Sequence, residues 1–299
     1  MEPNNRNGEM KEEMTVRELT GLMCGRLADK YGKDEATAMV RVVMQYLKGW
    51  SAVDLVLKRD SSVSDYIAEK AFGIVDRLMN DEPLQYIVGE TRFYGNTLKV
   101  SPAVLIPRPE TEELVDMIVK QNQEKDLAVL DLCTGSGCIA VSLARALRFP
   151  MVRAVDLSTD ALEVARENAR MLKVKVDFKC QDVLSMDATD ENRYDIIVSN
   201  PPYVLDSERK DMLPNVLDHE PAMALFVPDD DALRFYRAIA DYGLSALKCG
   251  GRLYFEINPI EADNLVDMLE KRGYIDVETV VDMAGKRRFA IARKTYGND

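Results

Sequence analysis

Apolar residues in the first 80 positions recur at three- and four-residue steps, which is the spacing of one face of an amphipathic α-helix. The clearest stripe of this kind consists of Ile67, Ala71, Ile74, Val75 and Leu78. Thr15 and Glu18 have the spacing of a capping box at a helix start, and Ser51 opens a further short helix. We therefore predict four helices that form a small all-helical domain over residues 1–80.

The pattern changes at Asn80-Asp81-Glu82-Pro83, after which two short alternating segments flank Gly95-Asn96. Such a pair predicts a tight β-hairpin, which we assign to a linker over residues 81–103. The stretch from Ile106 to Glu110 is too rich in proline for regular structure. Thr111, with acidic residues in the next turn, is expected to start a helix that runs to about Gln121.

From residue 126 onward, apolar strand patterns alternate with helical patterns, which predicts a third region over residues 104–299. The predicted strands are 128–132, 152–157, 174–180, 194–199 and 252–257, followed by a closing pair at 274–281 and 287–293. Repeated strand-helix order is typical of a parallel, doubly wound sheet, and the closing pair is expected to be antiparallel.

The overall composition is that of a globular protein, and it excludes several classes of site. No apolar run approaches the ~18 residues needed to span a bilayer, and the polar N-terminus lacks a signal-peptide pattern, so we expect a cytoplasmic protein with no membrane association. The five cysteines are scattered and His219 is the only histidine. No metal site is predicted, and a Ser-His-Asp triad is poorly supported.

The chain carries a net charge of −12, and the acidity lies in its larger part. Residues 1–80 contain 12 Lys and Arg against 13 Asp and Glu, whereas residues 81–299 contain 27 against 38. A long nucleic acid prefers a basic stripe on its partner, and none is visible. We therefore expect no stable nucleic-acid binding.

A glycine-containing turn, Asp131-Leu132-Cys133-Thr134-Gly135-Ser136-Gly137, separates the first strand of this region from its helix. Its two glycines let backbone N–H groups approach a ligand closely, and the helix start favours a carboxylate or phosphate. The alternative is a plain tight turn without a ligand. Taken alone, the motif does not decide between these two interpretations.

The next strand tips carry further candidate contacts. Asp156 ends the second strand, where an acidic side chain accepts hydrogen bonds from ribose hydroxyls, and an adenine could lie against Val183 and bond Asp182 after the third. A dinucleotide enzyme shares the first features, but S-adenosylmethionine fits all of them better, because a methyl donor also explains the tip of the fourth strand. The predicted cofactor contacts are Asp131, Cys133, Thr134, Gly135, Ser136, Gly137, Asp156, Leu157, Asp182, Val183 and Asn200.

The fourth tip is Asn200-Pro201-Pro202-Tyr203, directly after the buried strand 194–199. The Asn200 carboxamide oxygen and the main-chain carbonyl of Pro201 are two acceptors that can face one planar NH2 group, while Tyr203 adds a flat wall. Positioning of this kind suits methylation of an amide or aromatic amine. The four residues, Pro202 included, are our candidate catalytic set; the alternative is a simple turn.

These motifs together resemble the HemK/PrmC family of protein-glutamine N5-methyltransferases. The resemblance covers nearly the whole chain, and its most specific parts are Asn200 to Tyr203 and the segment Ile106-Pro107-Arg108-Pro109-Glu110-Thr111-Glu112. It implies a class I S-adenosylmethionine-dependent methyltransferase fold: an α/β, Rossmann-like, mostly parallel seven-stranded sheet with an antiparallel end strand, preceded by a small helical domain and a hairpin linker.

The resemblance also implies an activity: methyl transfer to N5 of the glutamine in the Gly-Gly-Gln motif of class I peptide-chain release factors, modulating translation termination. S-adenosyl-L-homocysteine would be the product, and the helical domain over 1–80 would dock the release factor. One alternative is an adenine-N6 or cytosine-N4 methyltransferase acting on a flipped base of a nucleic acid. Another is a non-catalytic module that only binds a release factor.

The chain departs from the family pattern at three places. Cys133 stands where the first glycine of the turn is usual, Asn258 stands where a glycine commonly follows Glu-Ile, and 227–231 lacks the usual glycines. We expect the turn at Cys133 to survive because the side chain is small, without a glycine-only backbone conformation. The resemblance therefore does not define the loop conformation at 227–231, and the expected chemistry does not depend on it.

Overall fold

The computed structural model describes residues 13–186 and 191–295, so residues 1–12 of the predicted helical domain lie outside it. The chain divides into two compact units, Met1–Val88 and Gly89–Asp299. Within the described ranges, none of the helices combines the length and apolar character needed to cross a bilayer.

The first unit is helical, as the apolar spacing predicts. Its helices are α1 (Val16–Tyr31), α2 (Lys33–Lys48), α3 (Ala52–Leu57), α4 (Asp65–Met79) and α5 (Leu84–Val88). Thr15 and Ser51 cap α1 and α3 through capping boxes closed by Glu18 and Asp54. The apolar faces of α1, α2 and α4 meet in one core cluster, whereas α3 has no buried residue.

The second unit opens with a hairpin of β1 (Glu90–Phe93) and β2 (Asn96–Lys99). Phe93 pairs with Asn96, so the turn consists of Tyr94 and Gly95, with φ values of 46° and 71°. The predicted turn at Gly95-Asn96 is therefore wrong by one residue. The reason is that Asn96 is buried and its Nδ2 donates to the Tyr94 carbonyl, which places it inside the strand pair.

The remaining strands and helices alternate along the chain. The strands are β3 (Ala128–Leu132), β4 (Met151–Asp156), β5 (Val176–Cys180), β6 (Tyr194–Ser199), β7 (Val204–Leu205), β8 (Phe226–Val227), β9 (Leu247–Glu256), β10 (Ile275–Val281) and β11 (Arg287–Arg293). The helices are α6 (Pro109–Gln121), α7 (Cys138–Ala146), α8 (Thr159–Leu172), α9 (Pro214–Leu217), α10 (Arg234–Ala246) and α11 (Ala262–Lys271).

Two element starts differ from the prediction. Helix α6 begins at Pro109 rather than Thr111, because proline is pre-organised for the first helical position, where its missing N–H costs nothing. Strand β9 begins at Leu247, ahead of Gly250 and Gly251. A Cβ on Gly251 would lie 2.9 Å from the Lys248 carbonyl oxygen, so glycine allows the strand to kink there and continue.

Seven of the described strands form one sheet in the order β10-β11-β9-β6-β3-β4-β5. The pairs from β9 through β5 are parallel, and β11 runs antiparallel to both β9 and β10. The predicted mostly parallel sheet with an antiparallel end is therefore confirmed. Two core clusters cover its faces; Ile197 packs in one, and Ile196 and Val198 pack in the other.

The strand order reverses at β3, whose successors β4 and β5 lie on one side while β6 and β9 lie on the other. Leu132 is in register with Val155 of β4 and with Ser199 of β6. The segments that begin at Cys133 and Asn200 therefore leave the sheet side by side. In open α/β sheets, this reversal point at the carboxyl ends of the strands is where ligands bind.

Candidate active site

A cleft of about 960 Å³, including space open to solvent, lies at this edge of the sheet. The turn after β3 and the tips of β4, β5 and β6 form its floor, and residues 103–108 and 221–224 complete its wall. The predicted site residues that line it are Cys133, Thr134, Gly135, Ser136, Asp156, Leu157, Asp182, Val183, Asn200 and Pro202.

Asp131 does not line the cleft; it stabilises the glycine turn through hydrogen bonds behind it. Its fully buried Oδ2 accepts from the Thr134 hydroxyl (2.5 Å) and from the Ala140 N–H (3.1 Å). Burial raises the pKa of Asp131 to about 7 against the lowering effect of these two bonds, and Asp156 adds a smaller increase. The carboxyl thus links β3, its turn and the start of α7.

The backbone of the turn is left-handed at three positions, with φ of 60° at Cys133, 53° at Gly135 and 78° at Gly137. A Cβ on Gly137 would lie 3.0 Å from the Ala165 Cβ of α8, so glycine permits this close packing. The turn survives the Cys133 departure. Cys133 takes a φ of 60°, inside the small left-handed region that L-residues can adopt, so its backbone is in an uncommon but not a glycine-only conformation.

Two buried polar atoms at this turn have no hydrogen-bond partner among the residues that the structure describes: Asp131 Oδ1 and Ser136 Oγ. Orphaned groups of this kind are costly unless a ligand meets them. The carboxyl oxygen can accept from an ammonium group, and the hydroxyl can donate to a carboxylate. The turn therefore fits the amino-acid end of a ligand.

Asp156 ties the tip of β4 to the same turn. Its Oδ2 accepts from the Gly135 N–H (2.8 Å) and its Oδ1 from the Ser158 N–H (2.9 Å). Burial raises its pKa, and these backbone bonds act in the opposite direction. Each oxygen has further acceptor capacity, and Asp156 lines the cleft, which suits ligand hydroxyls.

After β5, Asp182 Oδ1 accepts from the Leu184 N–H (2.9 Å) and so caps a short 3₁₀ turn. This turn places the buried Val183 side chain on the cleft wall. Val183 thereby offers an apolar surface for a flat ring. Asp182 lies beside it on the wall.

Asn200 heads a chain of polar contacts that sequence reasoning missed. Its Nδ2 donates to Thr111 Oγ1 (3.4 Å), and Thr111 Oγ1 donates to Glu256 Oε2 (2.6 Å). Glu256 ends β9 and is only 1% exposed. Burial raises its pKa, while the bonds from Thr111 and Tyr203 and the charge of Arg288 favour its ionised form.

The remaining candidate catalytic residues lie partly behind the wall. Tyr203 Oη donates to Glu256 Oε1 (3.0 Å), and the Tyr203 carbonyl accepts from Asn258 Nδ2 (3.2 Å). Pro201 and Pro202 are buried, and Pro202 reaches the wall. Asp131, Gly137, Pro201 and Tyr203 are not among the residues that line the cleft. Their predicted contacts with ligands stay predictions.

Asn258, a departure from the family pattern, has a defined structural role here. Besides the Tyr203 carbonyl, its Nδ2 donates to Glu208 Oε2 (2.8 Å), and its Oδ1 accepts from the Ile260 N–H (3.1 Å). It therefore holds the segment after Asn200 to the end of β9 and caps the turn before α11.

A partly buried ion pair joins the two segments that complete the cleft wall. Glu220 Oε1 accepts from Arg108 Nη2 (2.6 Å), and Glu220 Oε2 accepts from the Ile106 N–H (3.1 Å). The Glu220 side chain is 1% exposed and that of Arg108 is 33% exposed. Segments 103–108 and 221–224 are thus joined at their adjacent ends.

Glu256, Thr111 and the Arg108–Glu220 pair are the functional candidates that the residue patterns alone left out. A charged residue directly after the apolar run 253–255 was the available signal for Glu256, since such a residue is rarely buried without partners. The register of β9 beside β6, which places Glu256 next to Asn200, was also needed to connect these two residues.

The fold and the cleft together define a methyltransferase. A family model described as "Methyltransferase small domain" matches residues 110–224, and one described as "PrmC N-terminal domain" matches residues 23–89. Among solved structures, the T. thermophilus 16S rRNA N2 G1207 methyltransferase, in complex with AdoMet and guanosine, has a similar fold. Its TM-score is 0.50 at 21% identity, covering 69% of this chain and 49% of that one.

Curated relatives narrow the class to one family. The release factor glutamine methyltransferase of Bacteroides thetaiotaomicron is 44% identical over 279 residues, which cover 93% of this chain and 100% of that protein. The one from Flavobacterium psychrophilum is 39% identical over 266 residues, covering 88% and 93%. The chain belongs to the release factor glutamine methyltransferase family.

Proposed function

We propose that this enzyme transfers a methyl group from S-adenosylmethionine to N5 of the glutamine in the Gly-Gly-Gln motif of class I peptide-chain release factors. The observation that carries the proposal is that Asn200 and the glycine turn line one cleft. An amide acceptor and a turn suited to a ligand are thereby adjacent. The family membership supports the same chemistry, and the activity belongs to the cytoplasm, where translation occurs.

Residues that line the cleft, together with Asp131 directly behind the glycine turn, fit the cofactor in three places. Asp131 Oδ1 and Ser136 Oγ, the orphaned pair at the glycine turn, would hold its amino-acid end. The Asp156 carboxylate would accept from its ribose hydroxyls, and Asp182 and Val183 would hold its adenine. When bound, S-adenosylmethionine would supply an electrophilic methyl group on a sulfonium, leaving S-adenosylhomocysteine.

The residues around Asn200 would orient the target amide. A glutamine amide has its nitrogen lone pair delocalised, so the NH2 group must be turned toward the methyl donor before it reacts. Asn200 Oδ1 and the Pro201 carbonyl would accept its two hydrogens and stabilise the positive charge that the nitrogen gains. The proton leaves afterward, so no strong general base is required.

We further propose that the N-terminal unit, with residues 1–80 as the docking domain and 81–103 as the linker to the catalytic domain over 104–299, binds the release factor. Helix α3 supports this role because its Val53, Val56 and Leu57 side chains are 67%, 66% and 76% exposed. Three neighbouring apolar side chains on one short helix are typical of a protein-binding patch.

Incubation with labelled S-adenosylmethionine and either a release factor or DNA tests the proposal directly. We expect label on the glutamine of the release factor and none on DNA. The acidic balance of residues 81–299 supports this expectation, since a phosphate backbone prefers cationic partners. Label on DNA alone would support an amino-methyltransferase of nucleic acid instead. Tight release-factor binding without transfer would support a non-catalytic module.

A further inference from the structure

We propose that Glu256 is a positioning residue that fixes, through the Thr111 hydroxyl, which end of the Asn200 carboxamide faces the cleft. It thereby makes the cleft select a hydrogen-bond donor, such as an NH2 group, rather than an acceptor. The inference rests on the proposed function for the identity of that donor. The orientation of Asn200 can be tested without any substrate.

Glu256 receives two hydroxyl donors, one on each carboxylate oxygen. Thr111 Oγ1 lies 2.6 Å from Oε2, and Tyr203 Oη lies 3.0 Å from Oε1. An ionised carboxylate accepts hydrogen bonds and donates none. Burial raises the pKa of Glu256, and the two hydroxyl bonds and the charge of Arg288 act in the opposite direction. In the ionised form, with one hydroxyl on each oxygen, both hydroxyls direct their hydrogens to Glu256.

The Thr111 hydroxyl has a single hydrogen to donate. Because this hydrogen is directed to Glu256, only lone pairs of Thr111 Oγ1 remain for its other neighbour. That neighbour is the Asn200 carboxamide, 3.4 Å away, and only its NH2 end can donate to a lone pair. The Oδ1 atom of Asn200 is therefore left to accept from a group in the cleft.

Thr111, Asn200 and Glu256 differ in their position relative to the cleft. Thr111 and Asn200 both line the cleft, whereas Glu256 is 1% exposed and does not line it. Glu256 thus acts on the cleft through Thr111. The alternative is that Glu256 only anchors Tyr203, in which case the direction of the Thr111 hydrogen bond would have no effect on methyl transfer.

Glu256→Gln keeps the shape of the side chain but reverses the donor and acceptor roles in the hydrogen bonds that run from residue 256 through Thr111 to Asn200. A phenol is a stronger donor and a weaker acceptor than an alkyl hydroxyl, so the glutamine oxygen stays on Tyr203 and its NH2 faces Thr111. Thr111 then donates to Asn200 Oδ1, and the Asn200 NH2 turns into the cleft. We expect kcat for release-factor methylation to fall about 100-fold, the size of losing one pre-organised transition-state hydrogen bond. Cofactor affinity measured by calorimetry should change little.

A second substitution distinguishes this mechanism from a structural role. Thr111→Val removes the hydroxyl, so Asn200 is no longer held in either orientation. We therefore expect Glu256→Gln/Thr111→Val to be more active than Glu256→Gln alone. Losses that simply multiply would overturn the proposal. Asp195→Asn is the matched control, because this carboxylate pairs with Lys248 and the Ala128 N–H at the opposite end of β6.

Thr111→Ser and Thr111→Val decide the question if Glu256→Gln does not fold. Serine keeps the hydroxyl that carries the hydrogen bond, so it should restore most of the kcat that valine removes. Equal losses in the two variants would assign the effect to packing and overturn the proposal.

The NMR signals of the Asn200 side-chain NH2 group test the role of Glu256 without any substrate, and so independently of the proposed function. In protein labelled with ¹⁵N-asparagine, the side-chain NH2 signals of Asn200 are assigned by their loss in Asn200→Asp. We expect Glu256→Gln to shift these signals and to speed their hydrogen exchange with water. Unchanged signals would overturn the inference whatever the substrate is. Absence of methyl transfer by the wild type would instead count against the proposed function, and the signals would still decide the role of Glu256.

Discussion

The N–H of Gly135 donates to Asp156 Oδ2 over 2.8 Å and thereby ties the turn after β3 to the tip of β4. Because Asp156 also accepts from the Ser158 N–H, one carboxylate holds both the turn after β3 and the segment after β4. A charged acceptor with two backbone donors is held rigidly, which makes it a good partner for a diol.

We expect Asp156→Ala to weaken S-adenosylmethionine binding by about 10- to 100-fold, since a hydrogen bond to a charged group contributes roughly 1.5–3 kcal/mol. Titration calorimetry measures the effect. The matched control is Asp177→Ala, a carboxylate on the neighbouring strand β5 that pairs with Arg153 away from the cleft. Equal affinities of wild type and Asp156→Ala would contradict the assigned role.

Asn200→Ala is expected to separate binding from transfer. Because Asn200 Oδ1 is assigned to the target amide, the rate of methyl transfer should drop about 10²- to 10³-fold while cofactor affinity largely persists. Single-turnover transfer and calorimetry measure the two quantities on the same preparation. If both fall together, Asn200 would instead have a structural role.

The pKa of Asp131 predicts a particular pH dependence of stability. The carboxyl has a pKa of about 7 in the folded protein against an ordinary value of 3.8. Between these values the folded protein retains a proton that the unfolded chain has lost, so stability falls as pH rises from about 4 to about 7 and is flat above. The pKa difference corresponds to roughly 4 kcal/mol at most.

Asp131→Asn cannot titrate and should remove this part of the dependence. Urea unfolding at pH 5 and pH 8 is the measurement: the wild type should lose more stability between them than the variant does. Some fall should remain in the variant, because burial also raises the pKa of Asp156 and of Glu256. Parallel pH profiles in wild type and variant would show that Asp131 does not titrate as expected.

Sequence patterns predicted the sheet and much of the site because both depend on short-range rules. The strand-helix alternation placed Asp156, Asn200 and the glycine turn at strand ends, and a parallel sheet brings such ends together. Glu256 and Thr111 are 145 positions apart, and no local rule relates them. Their contact depends on the register of β9 beside β6 and on where α6 begins, which the pattern of apolar residues left open by several positions.

The Arg108–Glu220 pair predicts a non-additive response to mutation. Arg108→Ala leaves the buried Glu220 carboxylate with only the Ile106 N–H, so we expect a loss of about 1–3 kcal/mol in unfolding free energy, reduced from the value for fully buried pairs because Arg108 is partly exposed. The double variant Arg108→Ala/Glu220→Ala should lose less than the sum of the single variants, since no unpaired charge remains. Additive losses in urea unfolding would show that the pair is not coupled.

The apolar patch on α3 gives a prediction for the partner rather than for the chemistry. Leu57 is 76% exposed, so Leu57→Ser should leave the unfolding free energy within about 0.5 kcal/mol of wild type. If the patch binds the release factor, the variant should raise KM for the release factor about 10- to 100-fold, because a buried leucine at an interface contributes about 1.5–3 kcal/mol. The kcat and the cofactor affinity of Leu57→Ser should stay unchanged.

Phe149→Ser is the matched control, since this side chain is 74% exposed on the catalytic unit. A rise in KM for Phe149→Ser but not for Leu57→Ser would move the docking surface from the helical unit to the catalytic one.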